Sequence, residues 1–303
     1  MMNQASGWQE PVGIVGLGLI GGSLGLDLRA RGVPVRALVH RQATAERAQE
    51  RGLADAVSTD PAVLADCALV VLALPLDRLL APEPGLLDAL PAAAVITDVG
   101  SVKAPLLDCW EGLLGGRFVA GHPMAGTANA GVEAGERDLF QGRPWVATPT
   151  AGTDPAALAA VRSLAESVGA RWILCDADQH DRAVALISHM PVLVSAALLL
   201  AADRGAAAQE PAGAGPGAAA AGAGLPALVR ALASSGFADT TRVGAGNPEL
   251  GTLMARSNRG ALLAGLAEYR RALDALEGLV RDQAWPELQA ELERCQSLRP
   301  PFL

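Results

Sequence analysis

Residues Val12–Gly21 read VGIVGLGLIG, a short apolar run that ends in glycines and leads into an apolar-periodic stretch reaching about Arg31. This is the pattern of a strand, a tight turn and a helix. Gly16, Gly18 and Gly21 stand in GxGxxG spacing across the turn. The first glycine permits the turn, the second lets the backbone approach a pyrophosphate, and the third lets helix and strand pack closely. The helix N-terminus adds free amides and the positive end of its dipole. Gly16, Gly18, Leu19, Ile20 and Gly21 are therefore the expected phosphate-side contacts of a dinucleotide.

The next strand-like run, Arg36–Val39, should end beside the adenosine ribose. An NAD enzyme usually places Asp or Glu there to bind the ribose hydroxyls. This chain has His40, Arg41 and Gln42 instead, and no carboxylate before Glu46. Arg41 can make paired hydrogen bonds to a 2'-phosphate and Thr44 can add a hydroxyl donor, which points to NADP. The competing reading of Arg41 is a solvated loop residue.

Ala68–Leu74, Ala93–Thr97, Phe118–Ala120, Trp145–Thr148 and Arg171–Cys175 are further apolar runs, most of them separated by helical patterns such as Ala43–Arg51 and Val102–Leu114. Strand and helix in alternation predict an α/β fold, a doubly wound, mostly parallel Rossmann-type sheet with helices on both faces. From Asp178 onward only helical periodicity remains, with Pro191 expected to kink the first long helix. The chain thus divides into a dinucleotide-binding domain over residues 11–175 and an all-α domain over 176–303. Within the latter, Gly205–Gly224 (GAAAQEPAGAGPGAAAAGAG) reads as a flexible surface insertion.

Half of the 303 residues are apolar and 18% are charged, with a formal charge of -8. An acidic chain without a clustered basic face argues against a nucleic-acid partner. Four scattered cysteines without metal-ligand spacing read as reduced thiols of a cytoplasmic protein, and no metal site is expected. The N-terminus lacks a signal-peptide pattern. The most apolar stretch, Val184–Ala202, is interrupted by Ser188, His189 and Pro191 and is expected to be a buried helix rather than a membrane span. Leu225–Leu232 and Leu262–Val280 carry more apolar surface than a small helical domain can bury alone, which predicts a homodimer.

Lys103 is the only lysine in the chain, so it marks a place that arginine cannot fill. It lies in TDVGSVK (97–103), some twenty residues before GHPMAGT (121–127), which holds one of only four histidines. Ser101 and His122 each follow a strand at the carboxyl edge, where open parallel sheets bind ligands. A serine hydroxyl within reach could orient the imidazole and leave its other nitrogen to accept a substrate proton. His122 could equally be a satisfied loop histidine. Lys103 either binds an anion or ties helix to loop.

GLGLIGGSLG, TDVGSVK, GHPMAGT, ISHMP and GFADTTRVGAGNPEL occur in the order and context of the TyrA family, the prephenate and arogenate dehydrogenases of tyrosine biosynthesis. The chain resembles that family over nearly its whole length, most of all its compact cyanobacterial arogenate dehydrogenases, notably in GNPELGTLMA and QAWPEL. The resemblance implies a Rossmann domain followed by a helical dimerisation domain. It implies that His122 is the catalytic histidine, Ser101 its hydrogen-bonding partner near the nicotinamide, His189 a second active-site histidine, and Arg242 the arginine that binds a substrate carboxylate. The implied reaction is NADP-dependent oxidative decarboxylation of arogenate to tyrosine, with prephenate as the alternative substrate. In members that favour prephenate a second histidine often follows the proline of ISHMP. Here that position is Val192, and Asp181 is a candidate acceptor for the arogenate ammonium. A 3-hydroxyacid dehydrogenase would carry a lysine in its helical half, and this chain has none after Lys103. A nucleotide-binding redox sensor would leave Ser101, His122, His189 and Arg242 unexplained.

Overall fold

The computed structural model describes residues 8–127, 129–208 and 224–302. Strand β1 (Val12–Val15) is wholly buried and leads through the glycine turn into helix α1 (Leu19–Ala30). Then come β2 (Val35–Leu38), α2 (Gln42–Glu50), β3 (Ala56–Ser58), β4 (Leu69–Leu72), α3 (Leu76–Leu80), α4 (Pro84–Ala89), β5 (Val95–Asp98), α5 (Ala104–Leu114) and β6 (Phe118–Val119). These strands form one six-stranded sheet in the order β3-β2-β1-β4-β5-β6, parallel throughout. The strand order reverses between β1 and β4, and the crevice beyond their carboxyl ends is where such sheets take ligands. Separate apolar cores fill the two faces, one around Leu24, Leu28 and Trp145 and the other around Leu79, Leu106 and Trp110.

After β6 the chain leaves the sheet. Gly121–Pro123 (β7) begins a second sheet, antiparallel to β8 (Pro144–Ala147), which in turn runs parallel to β9 (Arg171–Leu174) beyond helix α6 (Pro155–Ser167). The apolar runs at 118–120 and 145–148 therefore belong to different sheets, where the alternating pattern suggested one. The cause lies at Gly121, whose N–H is taken by Asp98 Oδ1 at 3.0 Å and whose carbonyl is taken by Lys103 Nζ at 2.5 Å. With both backbone groups bound to side chains, the β6 ladder cannot continue. A Cβ at Gly121 would stand 2.8 Å from Thr97 Oγ1, so only glycine permits this close crossing.

The helical half comprises α7 (Ala177–Val184), α8 (Met190–Ala208), α9 (Leu225–Leu232), α10 (Ser235–Thr241), α11 (Pro248–Ser257), α12 (Arg259–Arg281) and α13 (Trp285–Leu298). The irregularity expected at Pro191 takes the form of a π-helical turn at Ala185–His189, joining α7 and α8 into one rod over Ala177–Ala208. Pro191 has no N–H to close the regular ladder, and a wider turn absorbs the missing bond. That rod is long and apolar enough to cross a membrane, and within one protomer it is mostly unburied. The expectation of a buried helix at 184–202 is thus corrected: Ile187 and Leu200 are 56% and 50% exposed. His180, Asp181, His189 and Ser195 on the same rod are buried and bonded to the rest of the chain. Residues 205–208 of the expected flexible insertion are the last turn of α8 and Gly224 precedes α9, while 209–223 lie outside the described residues.

Candidate active site

A crevice of about 670 Å³ opens at the switch point and is lined by Gly16, Gly18, His40, Arg41 and Thr44, with Leu74 and Pro75 beyond β4. Gly16 has φ +94, and a Cβ there would stand 2.5 Å from the Ala73 carbonyl oxygen. A Cβ on Gly21 would collide with the Gly16 carbonyl oxygen, whereas one on Gly18 would meet nothing. Two glycines thus hold the turn against the sheet, and the third leaves its open side free for a phosphate. These residues fit a dinucleotide. His40, Arg41 and Thr44 line the crevice, whereas Leu19, Ile20, Gly21, Gln42 and Ser101 are not among its lining residues. Arg78, Gly131 and Val132 also line it and were not foreseen. Arg78 pairs with Glu83 at 2.6 Å, and a 131–136 loop is held over the crevice by Arg51, which donates to the Val132 and Gly135 carbonyls. Long-range contacts of this kind leave no local sequence signal. A larger groove of about 750 Å³ between α7 and α12 contains none of the glycine-turn residues.

At the end of β5, Lys103 and Asp98 form an ion pair at 2.5 Å with both side chains fully buried. Asp98 also accepts the Gly100 and Gly121 amides at 2.7 and 3.0 Å, so its carboxylate is saturated by donors. Of the two roles left open for Lys103, the geometry realises the tie: it joins β5, the start of α5 and the first residue of β7. Burial pushes the ammonium below the ordinary lysine value, and Asp98 opposes that shift. A guanidinium is larger than this fully buried ammonium, so its planar fork would require the surrounding groups to move.

Gly121 being fixed, the next residue, His122, is fixed too. Its Nδ1 lies 2.9 Å from His180 Nε2, and His180 Nδ1 lies 2.7 Å from Asp181 Oδ1. Ser101, the expected partner of the imidazole, makes no such bond, and its buried hydroxyl has no hydrogen-bond partner among the described residues. His180 takes the place assigned to it. Burial, the Lys103 charge and the neighbouring His180 and His189 hold the His122 imidazole well below its ordinary pKa, so the ring is neutral at physiological pH. A neutral, anchored imidazole at the carboxyl edge can take a proton from a bound hydroxyl.

Asp181 is not available to a substrate ammonium. Besides His180, its carboxylate accepts the amides of Lys103 at 2.7 Å and Ala104 at 3.0 Å, capping the N-terminus of α5 from a residue far away in sequence. Those three donors and its burial leave the carboxylate no place for the ammonium that the sequence offered it. His189 is 2% exposed and its Nδ1 lies 3.2 Å from Asn258 Nδ2. Asn258 Nδ2 also donates to the Asp181 carbonyl at 2.7 Å, which fixes the amide as donor to both. His189 therefore carries its proton on Nε2, a buried N–H without a partner among the described residues. Burial pushes its pKa down to about 4. Arg242 ends α10, and its turn packs against α8 through Ser195, whose Oγ donates to the Thr240 carbonyl and accepts the Gly244 amide. The Arg242 side chain is exposed and pairs with no carboxylate among the described residues.

Residues 24–174 match the family described as prephenate dehydrogenase, nucleotide-binding domain, and residues 218–294 match prephenate dehydrogenase, dimerization domain. Among solved structures, Synechocystis arogenate dehydrogenase is 42% identical, with 97% of this chain and 100% of that one covered at a TM-score of 0.78. Prephenate dehydrogenase from A. aeolicus, solved in complex with hydroxyphenyl propionate and NAD+, is 27% identical, with 98% and 100% covered at a TM-score of 0.84. Cyclohexadienyl dehydrogenase of Zymomonas mobilis is 29% identical over 95% of this chain and 94% of its own length.

Proposed function

The chain belongs to the prephenate dehydrogenase family, and from that premise we propose that it converts L-arogenate to L-tyrosine by oxidative decarboxylation with NADP. The observation that carries the chemistry is His122, neutral and anchored through Nδ1, at the carboxyl edge of the sheet that bears the glycine turn. Its free Nε2 accepts the proton of the ring hydroxyl as the carbinol carbon is oxidised. The C–C bond to the ring carboxylate then breaks, carbon dioxide leaves, and its electron pair completes the aromatic ring as a phenolate, which takes back the proton held on His122 Nε2. The bound nicotinamide supplies the hydride acceptor. Arg242, exposed and uncommitted, is suited to a substrate carboxylate, and the unpartnered His189 Nε2–H offers a second donor.

For the cofactor, Gly16, Gly18 and the α1 N-terminus would hold the pyrophosphate. His40, Arg41 and Thr44 line the crevice near the end of β2, with no carboxylate from that segment among the lining residues, which favours a 2'-phosphate. Arogenate is favoured by the 42% identity to an arogenate dehydrogenase over 97% of this chain, against 27% over 98% to a prephenate enzyme and 36% over 64% to a relative named as a probable one, while Val192 removes a donor that could serve the keto acid of prephenate. Prephenate is the second reading, since other relatives are named for it. A two-by-two assay of both substrates with NADP and NAD tests the assignment. A kcat/KM with prephenate equal to or above that with arogenate, or with NAD equal to that with NADP, overturns the corresponding half.

The working form is a homodimer. Of the large apolar side chains that stand exposed in one protomer, all but Leu113, Ile173 and Leu174 lie in the helical half, among them Leu232, Trp285 and Phe302 at 72%, 54% and 74%. Exposed apolar area on that scale calls for a covering surface. Sedimentation as a monomer at micromolar concentration would count against it. Four free cysteines fit a cytoplasmic setting.

A further inference from the structure

Two of the four histidines lie one bond apart in space and 58 residues apart in sequence, and the second is bonded to an adjacent aspartate. With both imidazoles neutral, the chain of bonds has one self-consistent arrangement of protons. Asp181 receives the main-chain amides of Lys103 and Ala104, so its carboxylate is an acceptor and the His180 Nδ1 bond must be donated by His180. A neutral His180 then presents a bare Nε2. His122 Nδ1 must donate to that nitrogen, which leaves His122 Nε2 bare.

Resting on the reading of His122 as the base, we propose that His180 and Asp181 form a positioning relay that holds His122 in the Nδ1–H tautomer, with Nε2 as the proton acceptor. The relay is rigid because each member is anchored independently. His180 and Asp181 are 3% and 6% exposed, the Asp181 carboxylate is gripped by the start of α5, and the Asp181 carbonyl accepts Asn258. His122 in turn follows Gly121, which Lys103 and Asp98 pin. The relay crosses from the Rossmann half to the helical half, so the base has the right tautomer only when α7 is docked on α5. During turnover the substrate proton arrives on Nε2, the Nδ1–H bond to His180 persists, and the imidazolium is stabilised by the acceptor chain that ends on Asp181. The protons on His122 Nδ1 and His180 Nδ1 stay where they are throughout.

His180 is a positioning residue, and its role is separable from a structural one. With a 15N-histidine label in the full-length protein, four imidazoles are resolved by single His→Gln variants, and the 15N shifts report which nitrogen of His122 carries the proton. The expected state at neutral pH is Nδ1–H with bare Nε2; a proton on Nε2 in the wild-type protein overturns the relay. His180→Leu removes the acceptor and should mix the tautomers and lower kcat by about 10- to 100-fold, a share of what a positioned base contributes, while KM stays within roughly two-fold. His180→Gln keeps a carbonyl that can accept the Nδ1 proton and should recover most of that loss. Equal activity of the Leu and Gln variants, or an unchanged kcat in both, refutes the proposal. Should His180→Leu fail to fold, the wild-type tautomer decides alone. Retention of turnover by His122→Asn would instead remove the base assignment and leave the tautomer result standing.

Discussion

Replacing Lys103 by methionine should cost about 3–5 kcal/mol of stability, because it strands a buried carboxylate. Lys103 and Asp98 are both fully buried, and the ammonium gives one bond to Asp98 and one to the Gly121 carbonyl. Methionine matches the stem but offers no donor. Asp98 keeps the two amide donors of Gly100 and Gly121 and loses its only counter-charge within 4.0 Å among the described residues. The Gly121 carbonyl is also left without its partner. At roughly 2–4 °C per kcal/mol for a protein of this size, Tm should fall by about 6–20 °C. Lys103→Arg should also lose stability, by about 1–3 kcal/mol, since a larger head group must be fitted into a fully buried site. Adding Asp98→Asn to Lys103→Met should restore part of the loss, because the uncompensated charge goes with it. Urea and thermal denaturation of the three variants measure this. A loss below about 1 kcal/mol in Lys103→Met, or a double variant no better than the single, would refute the view that the pair is a buried, mutually dependent tie.

Arg41→Ala should weaken NADP by roughly ten- to a hundred-fold, the worth of a lost charge-assisted hydrogen bond, and leave NAD nearly unchanged. An unaltered cofactor preference removes Arg41 from the 2'-phosphate site. His122→Asn should lower kcat by about 10² to 10⁴ with little effect on cofactor affinity, and near-normal turnover at neutral pH would exclude it as the base. His189 titrates near 4 in the fold and near its ordinary value, about 6.5, when unfolded. Between those values the unfolded chain binds the extra proton, so stability should fall as pH drops from about 6.5 to 4, by up to about 1.4 kcal/mol per pH unit. His189→Gln should flatten that slope, and an unchanged slope in urea titrations across this window would contradict the burial argument.

The glycine turn, the alternation of strand and helix and the switch to helices were legible before any coordinates. Each is a local matter: a backbone that needs φ +94 at Gly16, a period of apolar residues, and a run of helix formers after the last strand all act over neighbouring residues. The importance of the lone Lys103 was also visible, though not its purpose. Less legible were the division of the strands into two sheets and the unburied face of the rod over Ala177–Ala208. The first depends on a carboxylate and an ammonium claiming the Gly121 backbone, and the second on an apolar surface far larger than one protomer covers.

The sequence by itself determined the kind of fold and offered the glycine turn as the candidate nucleotide site, because turn chemistry and periodicity are written in adjacent residues; His122 it offered as a candidate through the family resemblance. Only the tertiary structure decided what holds His122. His180 and Asp181 sit 58 and 59 positions downstream on another element and have no spacing rule that links them to it. The same holds for Asp181 itself, which a sequence reader offers to a substrate and the fold spends on two amides at the start of α5. Buried polar groups find partners wherever packing brings a donor and an acceptor together, and that distance is set by the whole chain at once.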